Sequence, residues 1–151
     1  MRFCPDCGAA TERRIPEDDD RERDICSKCS TIHYHNPKVI VGCIPEHQGK
    51  ILMCKRAIEP RYGLWTLPAG FMENSETTAE GAARETWEEA AAIATEPTLY
   101  RIFDVPHISQ VYMFYRCGVE DGRYGVGPES LETELVLPEN IRWDELAFPV
   151  V

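Results

Sequence analysis

The chain is organised by the segment Gly70-Phe-Met-Glu-Asn-Ser-Glu-Thr-Thr-Ala-Glu-Gly-Ala-Ala-Arg-Glu-Thr-Trp-Glu-Glu-Ala-Ala-Ala92, which predicts a glycine turn followed by an α-helix. Thr77 can cap the start of the helix, and Glu80, three residues later, completes a capping box. At about 100° per residue, the small and apolar side chains gather on one side of the helix, which we expect to face the core. These residues are Ala79, Ala82, Ala83, Thr86, Ala90 and Ile93.

The other side of this helix carries three glutamates, Glu85, Glu88 and Glu89, within roughly 100° of one another. Like charges at this spacing destabilise a helix, and Arg84 neutralises only part of them. A bound divalent cation would compensate, and oxygen donors favour Mg²⁺ or Mn²⁺ over zinc. A solvated acidic face is the alternative. The glycine turn, the Arg-Glu pair and Gly81, which we expect to leave the carboxylate face open, favour the metal.

The same segment resembles the signature box of the Nudix hydrolases, Gly-x5-Glu-x7-Arg-Glu-U-x-Glu-Glu-x-Gly-U, in which U is a bulky aliphatic residue. The matching positions are Gly70, Glu76, Arg84, Glu85, Glu88 and Glu89. Thr86 and Ala92 depart from the aliphatic positions, and Ala91 replaces the final glycine. No carboxylate is lost, so the departures concern the helix exit and its buried side.

Composition limits the possible functions. A formal net charge of −10 over 151 residues argues against general nucleic-acid binding, which needs a basic surface. A hydrophobic content of 43% suffices for a packed core. No stretch reaches the length of a membrane helix, and the first residues lack the apolar core of a signal peptide. We therefore expect a soluble, cytoplasmic protein that has no membrane partner.

Two C-x2-C pairs near the N-terminus predict a second metal site. Cys4 and Cys7 form the first pair, and Cys26 and Cys29 the second, with 18 residues between the pairs. This spacing is typical of a structural zinc site with four thiolate ligands. Redox-active or free thiols are the alternative, but a thioredoxin-type site needs one such pair on a helix. We predict a zinc ribbon over residues 1–36, folded mainly by its metal.

The acidic insert between the two cysteine pairs opposes nucleic-acid binding by the ribbon. We therefore expect the ribbon to act as a scaffold or in dimerisation. The three remaining cysteines and the two histidines that follow the second pair also need an assignment. We expect Cys43, Cys54 and Cys117 to be buried and inert, because each lies in an apolar run. His33 and His35 are interpreted as residues of the junction between the units, with substrate contact as the alternative.

Residues 37–151 are predicted to form the Nudix hydrolase domain. Strands are expected over 39–44, 51–54, 98–104, 110–116 and 130–137, with a hairpin turn at 47–50. The resemblance implies an α/β fold, the Nudix α/β/α sandwich with a mixed sheet. Members usually continue into a last helix, which is short or missing in this sequence.

The resemblance also implies residue roles. Glu85, Glu88 and Glu89 would bind two or three Mg²⁺ ions when substrate is present, and Glu85 is a candidate general base. Arg84 would orient these glutamates, and Glu76 would support the loop. The backbone carbonyl of Ala69, in a lead-in similar to the family's Leu-Trp-x-Leu-Pro-Gly-Gly, is a further candidate metal ligand.

Substrate contacts are less well defined by the sequence. Arg56, beside Lys55 at the end of a strand, is a candidate for phosphate binding, with a solvated strand end as the alternative. Four aromatic residues are candidates to stack on a base or flavin, with core burial as the alternative. They are Tyr62, Trp65, Phe103 and Tyr112. Glu132, and behind it Glu129, is the candidate carboxylate from outside the box.

A zinc ribbon before a Nudix domain resembles the NADH pyrophosphatases, but their Ser-Gln-Pro-Trp-Pro-Phe-Pro-x-Ser stretch is absent after the box. Three segments, 32–38, 64–70 and 127–132, make nearly the whole chain more similar to plant plastid-type FAD and ADP-ribose pyrophosphatases. That resemblance implies cleavage of FAD or ADP-ribose with release of AMP, in a homodimer. The alternatives are NAD(H) cleavage and a non-catalytic, nucleotide-binding Nudix regulator; a nucleic-acid adaptor is disfavoured by the charge.

Overall fold

The computed structural model describes all 151 residues, and the chain folds into two compact units, Met1–Asn36 and Pro37–Val151. None of the helices combines the length and the apolar character needed to cross a bilayer.

The first unit is a three-stranded antiparallel sheet. Its strands are β1 (Thr11–Arg14), β2 (Arg23–Cys26) and β3 (Ile32–His33), in the order β1-β2-β3. The acidic insert forms the connection between β1 and β2. The buried side chains of this unit are those of Cys4, Pro16, Ile25 and Cys26. So small a core cannot hold the unit together unaided, which is consistent with folding around a metal.

The second unit is built on a mixed sheet. Its strands are β4 (Lys38–His47), β5 (Lys50–Arg56), β6 (Trp65–Thr66), β7 (Ala69–Phe71), β8 (Ala94–Val105), β9 (Gln110–Val119) and β10 (Ser130–Val136). Their order is β10-β5-β4-β9-β8, with two short strands attached, β6 to β5 and β7 to β4. Strands β4 and β9 run parallel, and the other pairs are antiparallel. A single α-helix, α1 (Thr78–Ala90), covers one face. The mixed α/β fold is therefore as predicted.

The predicted strands agree with the structure in position; four of the five are longer than predicted, and β10 ends one residue before its predicted end. The continuous apolar run over 39–44 is the buried centre of β4, which pairs there with β7 and β9. Gln48 and Gly49 both have positive φ, 49° and 76°, as a two-residue hairpin turn requires. Strand β8 begins four residues before the predicted strand and includes two register shifts against β9, a detail that period-two alternation does not reveal.

The two faces of the sheet are covered differently. Helix α1 covers one face, where Val41, Tyr115 and the three cysteines outside the ribbon are buried, so the prediction of burial for Cys43, Cys54 and Cys117 is confirmed. The other face carries a cluster around Trp65, Leu67 and Phe114. Side chains of the segment 141–151 pack on this cluster, and 3₁₀ turns at Pro138–Asn140 and Trp143–Glu145 take the place of a second α-helix.

Helix α1 begins as the sequence predicts. The Thr77 side chain accepts from the Glu80 amide at 3.2 Å, and the Thr77 amide donates to Glu80 Oε2 at 2.7 Å. Thr86, at an aliphatic position of the box, is fully buried, and its hydroxyl donates to the Ala82 carbonyl at 2.9 Å. Its burial is thus tolerated because its polar group is satisfied. Ile93 is exposed, contrary to expectation, because the helix ends before it.

The helix ends at Ala91, which adopts the left-handed conformation with φ 46° and ψ 34°. Glycine normally occupies such an exit, and the box of the family has glycine there. The last carbonyls of the helix are satisfied by a following loop. The amide of Gly125 donates to the Ala90 carbonyl at 2.7 Å, and that of Gly127 to the Glu89 carbonyl at 3.0 Å.

Candidate active site, a carboxylate-lined cleft

The carboxylates of α1 enter a cavity of about 610 Å³ in the second unit. Glu85 and Glu89 are only 8% and 5% exposed, so they belong to the buried side of the helix, whereas Glu88 is exposed. The cavity is within the range of ligand-binding pockets. Residues lining it include Ile40, Arg56, Ala69, Gly70, Phe71, Arg84, Glu85, Glu88, Glu89, Gln110, Tyr112 and Glu129.

Arg84 joins the carboxylates of the box. Its guanidinium donates to Glu76 through Nε and Nη2 at 3.0 and 2.9 Å, to Glu85 at 2.7 Å and to Glu88 at 2.9 Å. It also donates to the Phe71 carbonyl at 3.2 Å. The paired guanidinium lowers the pKa of Glu76 to about 2, which keeps that carboxylate charged. The arrangement fixes the direction of each carboxylate relative to the turn before the helix.

Two glycines make room for this arrangement. A Cβ at Gly70 would overlap the Glu85 carboxylate, so that side chain lies directly against the backbone of β7. A Cβ at Gly81 would lie 2.6 Å from Glu76 Oε1 and 2.9 Å from a methyl group of Val41. Gly81 is buried, and the expectation that it leaves the carboxylate face open to ligand is wrong. It instead admits Glu76 and the neighbouring strand.

Glu89 has the least compensated charge in the cleft. Its Oε2 atom is buried without a hydrogen-bond partner. Burial, with the nearby Glu85 charge as a second cause, raises its pKa to about 8, although the Ala69 backbone and Arg56 act in the opposite sense. Burial also raises the pKa of Glu85. Buried carboxylates that repel one another are stabilised by a cation, so this donor set fits a hard divalent ion such as Mg²⁺.

Arg56, at the end of β5, is the cationic side chain opposite these carboxylates. It is largely buried, and its Nε donates to the Pro60 carbonyl at 2.9 Å. Its guanidinium carbon lies 5.1 Å from the centroid of the Phe148 ring. Held in this way and lining the cavity, Arg56 is positioned for an anionic group next to the carboxylates.

Three predicted substrate contacts are placed elsewhere. Tyr62 is 57% exposed and does not line the cavity. Trp65 is 4% exposed in the core, with Lys55 and Arg142 over its ring, because pairing of β6 with β5 turns it away from the cleft. Glu132 is exposed and pairs with Lys55 at 2.9 Å, which a bulge after Ser130 makes its neighbour.

Of the two glutamates from outside the box that line the cleft, Glu59 and Glu129, the second candidate is Glu129, which precedes β10. Its charge contributes to the raised pKa values of Glu85 and Glu89. Tyr112 also lines the cleft, while Phe103 packs edge-on against Phe114 with ring centroids 6.2 Å apart.

Several lining residues have no counterpart among the sequence predictions. Phe71 lies next to Gly70 of the box, so its position was available from the motif. Ile40, Gln110 and Phe148 come together only through strand pairing and the C-terminal segment, for which the sequence carries no local signal.

In the first unit the four predicted cysteines converge. The Sγ atoms of Cys7 and Cys26 are 3.4 Å apart, and Cys29 Sγ lies 3.7 Å from those of Cys4 and Cys7. A tetrahedral zinc with bonds of about 2.3 Å implies sulfur separations near 3.8 Å. Gly8 has φ 73°, as a turn at the knuckle requires. The cluster therefore fits a structural zinc ion.

The two histidines lie within this unit. One ring nitrogen of His33, the Cys4 sulfur and an Asp6 oxygen lie within 4.8 Å of one another, and His33 Nε2 is buried without a partner. His35 Nε2 lies 2.7 Å from Asp24 Oδ2. Neither contact involves the carboxylate cleft.

Comparison with known proteins identifies the family. A model described as the NUDIX domain matches residues 36–147, and a zinc-ribbon model described as Nudix N-terminal matches residues 2–35. The chain belongs to the Nudix hydrolase family. The NUDIX hydrolase of Nitrosomonas europaea, known from a crystal structure, is 56% identical, with a TM-score of 0.96, over 100% of this chain and 86% of that one.

Two further relatives match over shorter stretches. The bifunctional NMN adenylyltransferase/ADP ribose pyrophosphatase of Francisella tularensis has a TM-score of 0.65 at 22% identity, over 75% of this chain and 38% of that one. That likeness concerns the Nudix fold alone. Phosphatase NudJ of Escherichia coli K12 is 43% identical over 61 residues. The match spans 40% of this chain and only 39% of the length of NudJ.

Proposed function

We propose that this Nudix hydrolase cleaves the diphosphate bond of a nucleoside diphosphate linked to another group, most favourably ADP-ribose or FAD, and releases AMP. One observation carries the proposal. The buried, unpartnered oxygen of Glu89 lies with Glu85 in a cavity that also exposes Glu88 and Arg56. Three glutamates and one arginine in the same cavity are better suited to bind a metal ion with a diphosphate than to bind a neutral ligand.

Glu85, Glu88 and Glu89 would hold Mg²⁺ or Mn²⁺, with the Ala69 carbonyl as a further ligand. The ion would supply charge neutralisation at the phosphates and an acidified water. In the reaction a water oxygen bonds to one phosphorus while the bridging P–O bond breaks, and the leaving phosphate departs with the bridging oxygen. Glu85, raised in pKa and oriented by Arg84, is the candidate to accept the water's proton.

Other residues would bind and orient the substrate. Arg56 would contact the diphosphate, since a buried guanidinium presents several donors to phosphate oxygens. Glu129 faces the same cavity and would serve as the carboxylate from outside the box. The Francisella tularensis protein of the same fold is described as complexed with AMP and a manganese ion, which is consistent with this choice of metal and product.

A substrate panel tests the proposal. FAD, ADP-ribose, NADH and diadenosine polyphosphates should be incubated with Mg²⁺ and the full chain, with AMP measured as product. ADP-ribose or FAD is expected to give the highest kcat/KM. A clear preference for NADH would favour the NAD(H) alternative, and no cleavage of any compound would favour the non-catalytic regulator.

The double change Glu88→Gln and Glu89→Gln tests the site. Loss of metal ligands should lower kcat/KM by about 10³ or more, since metal stabilisation of charge contributes several kcal/mol. Glu132→Gln is a matched control, because Glu132 lies outside the cleft and should keep activity within about twofold. Full activity in the double variant would refute the site assignment. The homodimer, the cytoplasmic location and the closeness to the plant enzymes stay predictions.

A further inference from the structure

The cleft extends beyond the carboxylates onto the face of the sheet. Strand pairing sets Phe71 of β7, Ile40 of β4 and Tyr112 of β9 side by side in one row. All three line the cavity, and the Phe71 ring is 50% exposed. Two residues before Tyr112, Gln110 points to the same face of the sheet and also lines the cavity. This row is an apolar surface with one amide at its end, suited to a flat aromatic ring.

The amide of Gln110 is oriented by its neighbour. The Tyr112 hydroxyl donates to Gln110 Oε1 at 3.0 Å. Because this bond occupies the carbonyl oxygen, Nε2 of Gln110 is the part of the amide that serves as a donor to a ligand. The hydroxyl hydrogen of Tyr112 is used in the same bond, so its oxygen serves as an acceptor. The pair therefore presents one donor beside one acceptor.

We propose that Gln110 and Tyr112 form a base-recognition pair that selects adenine over guanine at this end of the cleft. Adenine presents the N7 acceptor next to the N6 amino donor, which complements the pair. Guanine presents two acceptors, N7 and O6, on the same edge, and O6 would face the Tyr112 oxygen. The inference rests on the proposed function, since it assigns the adenosine half of ADP-ribose or FAD to this row.

The size of the expected selectivity follows from hydrogen bonding. A site that hydrogen-bonds two groups of a base discriminates against the wrong base by about 10- to 100-fold, because a mismatch leaves polar groups unpaired. We expect ADP-ribose to exceed its guanine counterpart in kcat/KM by that factor, mainly through KM.

Two variants test the pair. Tyr112→Phe keeps the ring but removes the acceptor and frees the Gln110 amide to rotate, so the preference for adenine should fall below about threefold. Gln110→Glu keeps the shape but replaces the donor by an acceptor, so KM for ADP-ribose should rise about tenfold or more with kcat little changed. Tyr62→Phe is the matched control, since Tyr62 lies outside the cavity.

The measurements are titration of the Mg²⁺-loaded full chain with AMP and with GMP, and kinetics with ADP-ribose and its guanine counterpart. A ratio of the AMP and GMP affinities that is near one in the unmodified protein, or unchanged in both variants, would overturn the base-recognition pair. The two proposals fail separately. Selective AMP binding without cleavage would defeat only the proposed function, whereas cleavage with selectivity that neither variant alters would defeat only this inference.

Discussion

The two candidate metal sites of this chain differ in how their donors are used. In the first unit, four cysteine sulfurs approach one another at separations that fit the tetrahedral shell of a zinc ion. In the second unit, Glu76, Glu85 and Glu88 share the Arg84 guanidinium. The buried Oε2 atom of Glu89 has no hydrogen-bond partner. A complete shell serves structure, while an incomplete one at the wall of a cavity leaves positions for water and substrate. The closed set of sulfurs therefore suits a stabilising metal, and the open set of carboxylates suits a reactive one.

The largest expected effect concerns the first unit. Removal of zinc by a thiol-reactive reagent and a chelator should unfold residues 1–36, because metal binding of about 10–16 kcal/mol supplies the folding free energy of such units. Backbone amide NMR signals of this unit should collapse to unfolded positions while those of α1 remain. Absence of one stoichiometric zinc in the purified protein, or an intact ribbon without it, would contradict the closed-shell interpretation.

In the second unit, Gly70→Ala tests whether activity depends on the position of the Glu85 carboxylate. The new Cβ would displace the Glu85 carboxylate, and misplacement of a catalytic group by about 1 Å costs on the order of 10² in rate. We expect kcat for the best substrate to fall by about that factor with the ribbon unaffected. Gly125→Ala serves as the control, since its Cβ would have only the Ala91 side chain nearby, at 3.3 Å, and activity should change little. Equal effects of the two changes would mean that the contact with Glu85 is unimportant.

The third expected effect is a linkage between pH and metal binding. The pKa of Glu89 is raised from 4.5 to about 8 without metal, so between these values the folded protein holds a proton that the unfolded chain has released. The stability of the metal-free second unit should therefore decrease as pH rises through this window. Below about pH 8, Mg²⁺ must displace that proton, so affinity should increase with pH.

Calorimetric titration with Mg²⁺ at about pH 6.5, in two buffers of different ionisation enthalpy, measures the proton release. The unmodified protein should release a substantial fraction of one proton for each ion bound at Glu89. Glu89→Gln has no such proton to lose, and its metal-free form should be more stable at neutral pH. Identical proton release in both proteins would exclude Glu89 as the linked group.

The smallest expected effect lies at the helix exit. Ala91 adopts a left-handed conformation that costs a residue with a Cβ about 1 kcal/mol. Ala91→Gly should therefore stabilise the second unit by about 0.5–1 kcal/mol, seen as a higher denaturation midpoint at unchanged slope. The same replacement at Ala83, inside the helix, should destabilise by about 1 kcal/mol. A destabilising Ala91→Gly would show that other contacts of Ala91 outweigh the strain.

Sequence predicted those features that depend on local spacing. The capping box at Thr77, the convergence of Glu85 and Glu89 and the two cysteine pairs all follow from residues a few positions apart. The incorrect interpretations concern contacts between distant strands. Glu132 faces Lys55 rather than the cleft because β10 pairs with β5 through a bulge.

Contacts between distant parts of the chain also explain the other residues whose predicted surroundings are wrong. Trp65 belongs to a strand of two residues, too short for any periodic signal, and its pairing with β5 decides its burial. The position of Gly81 on the helix does not reveal its neighbours Glu76 and Val41, which come from the preceding loop and from β4. The sequence does not predict Gln110 as a residue of the cleft, because only the parallel pairing of β4 with β9 sets it near the row of apolar side chains.

The capping of α1 by the loop before β10 has a consequence for motion. That loop leads to Glu129, and its amides at Gly125 and Gly127 terminate the helix that carries Glu89. A Cβ at Gly127 would overlap the Glu88 carbonyl, so loop and helix are in direct backbone contact. The loop cannot swing outward as a lid without uncapping the helix. Carboxylates from two distant parts of the chain thus move as one piece.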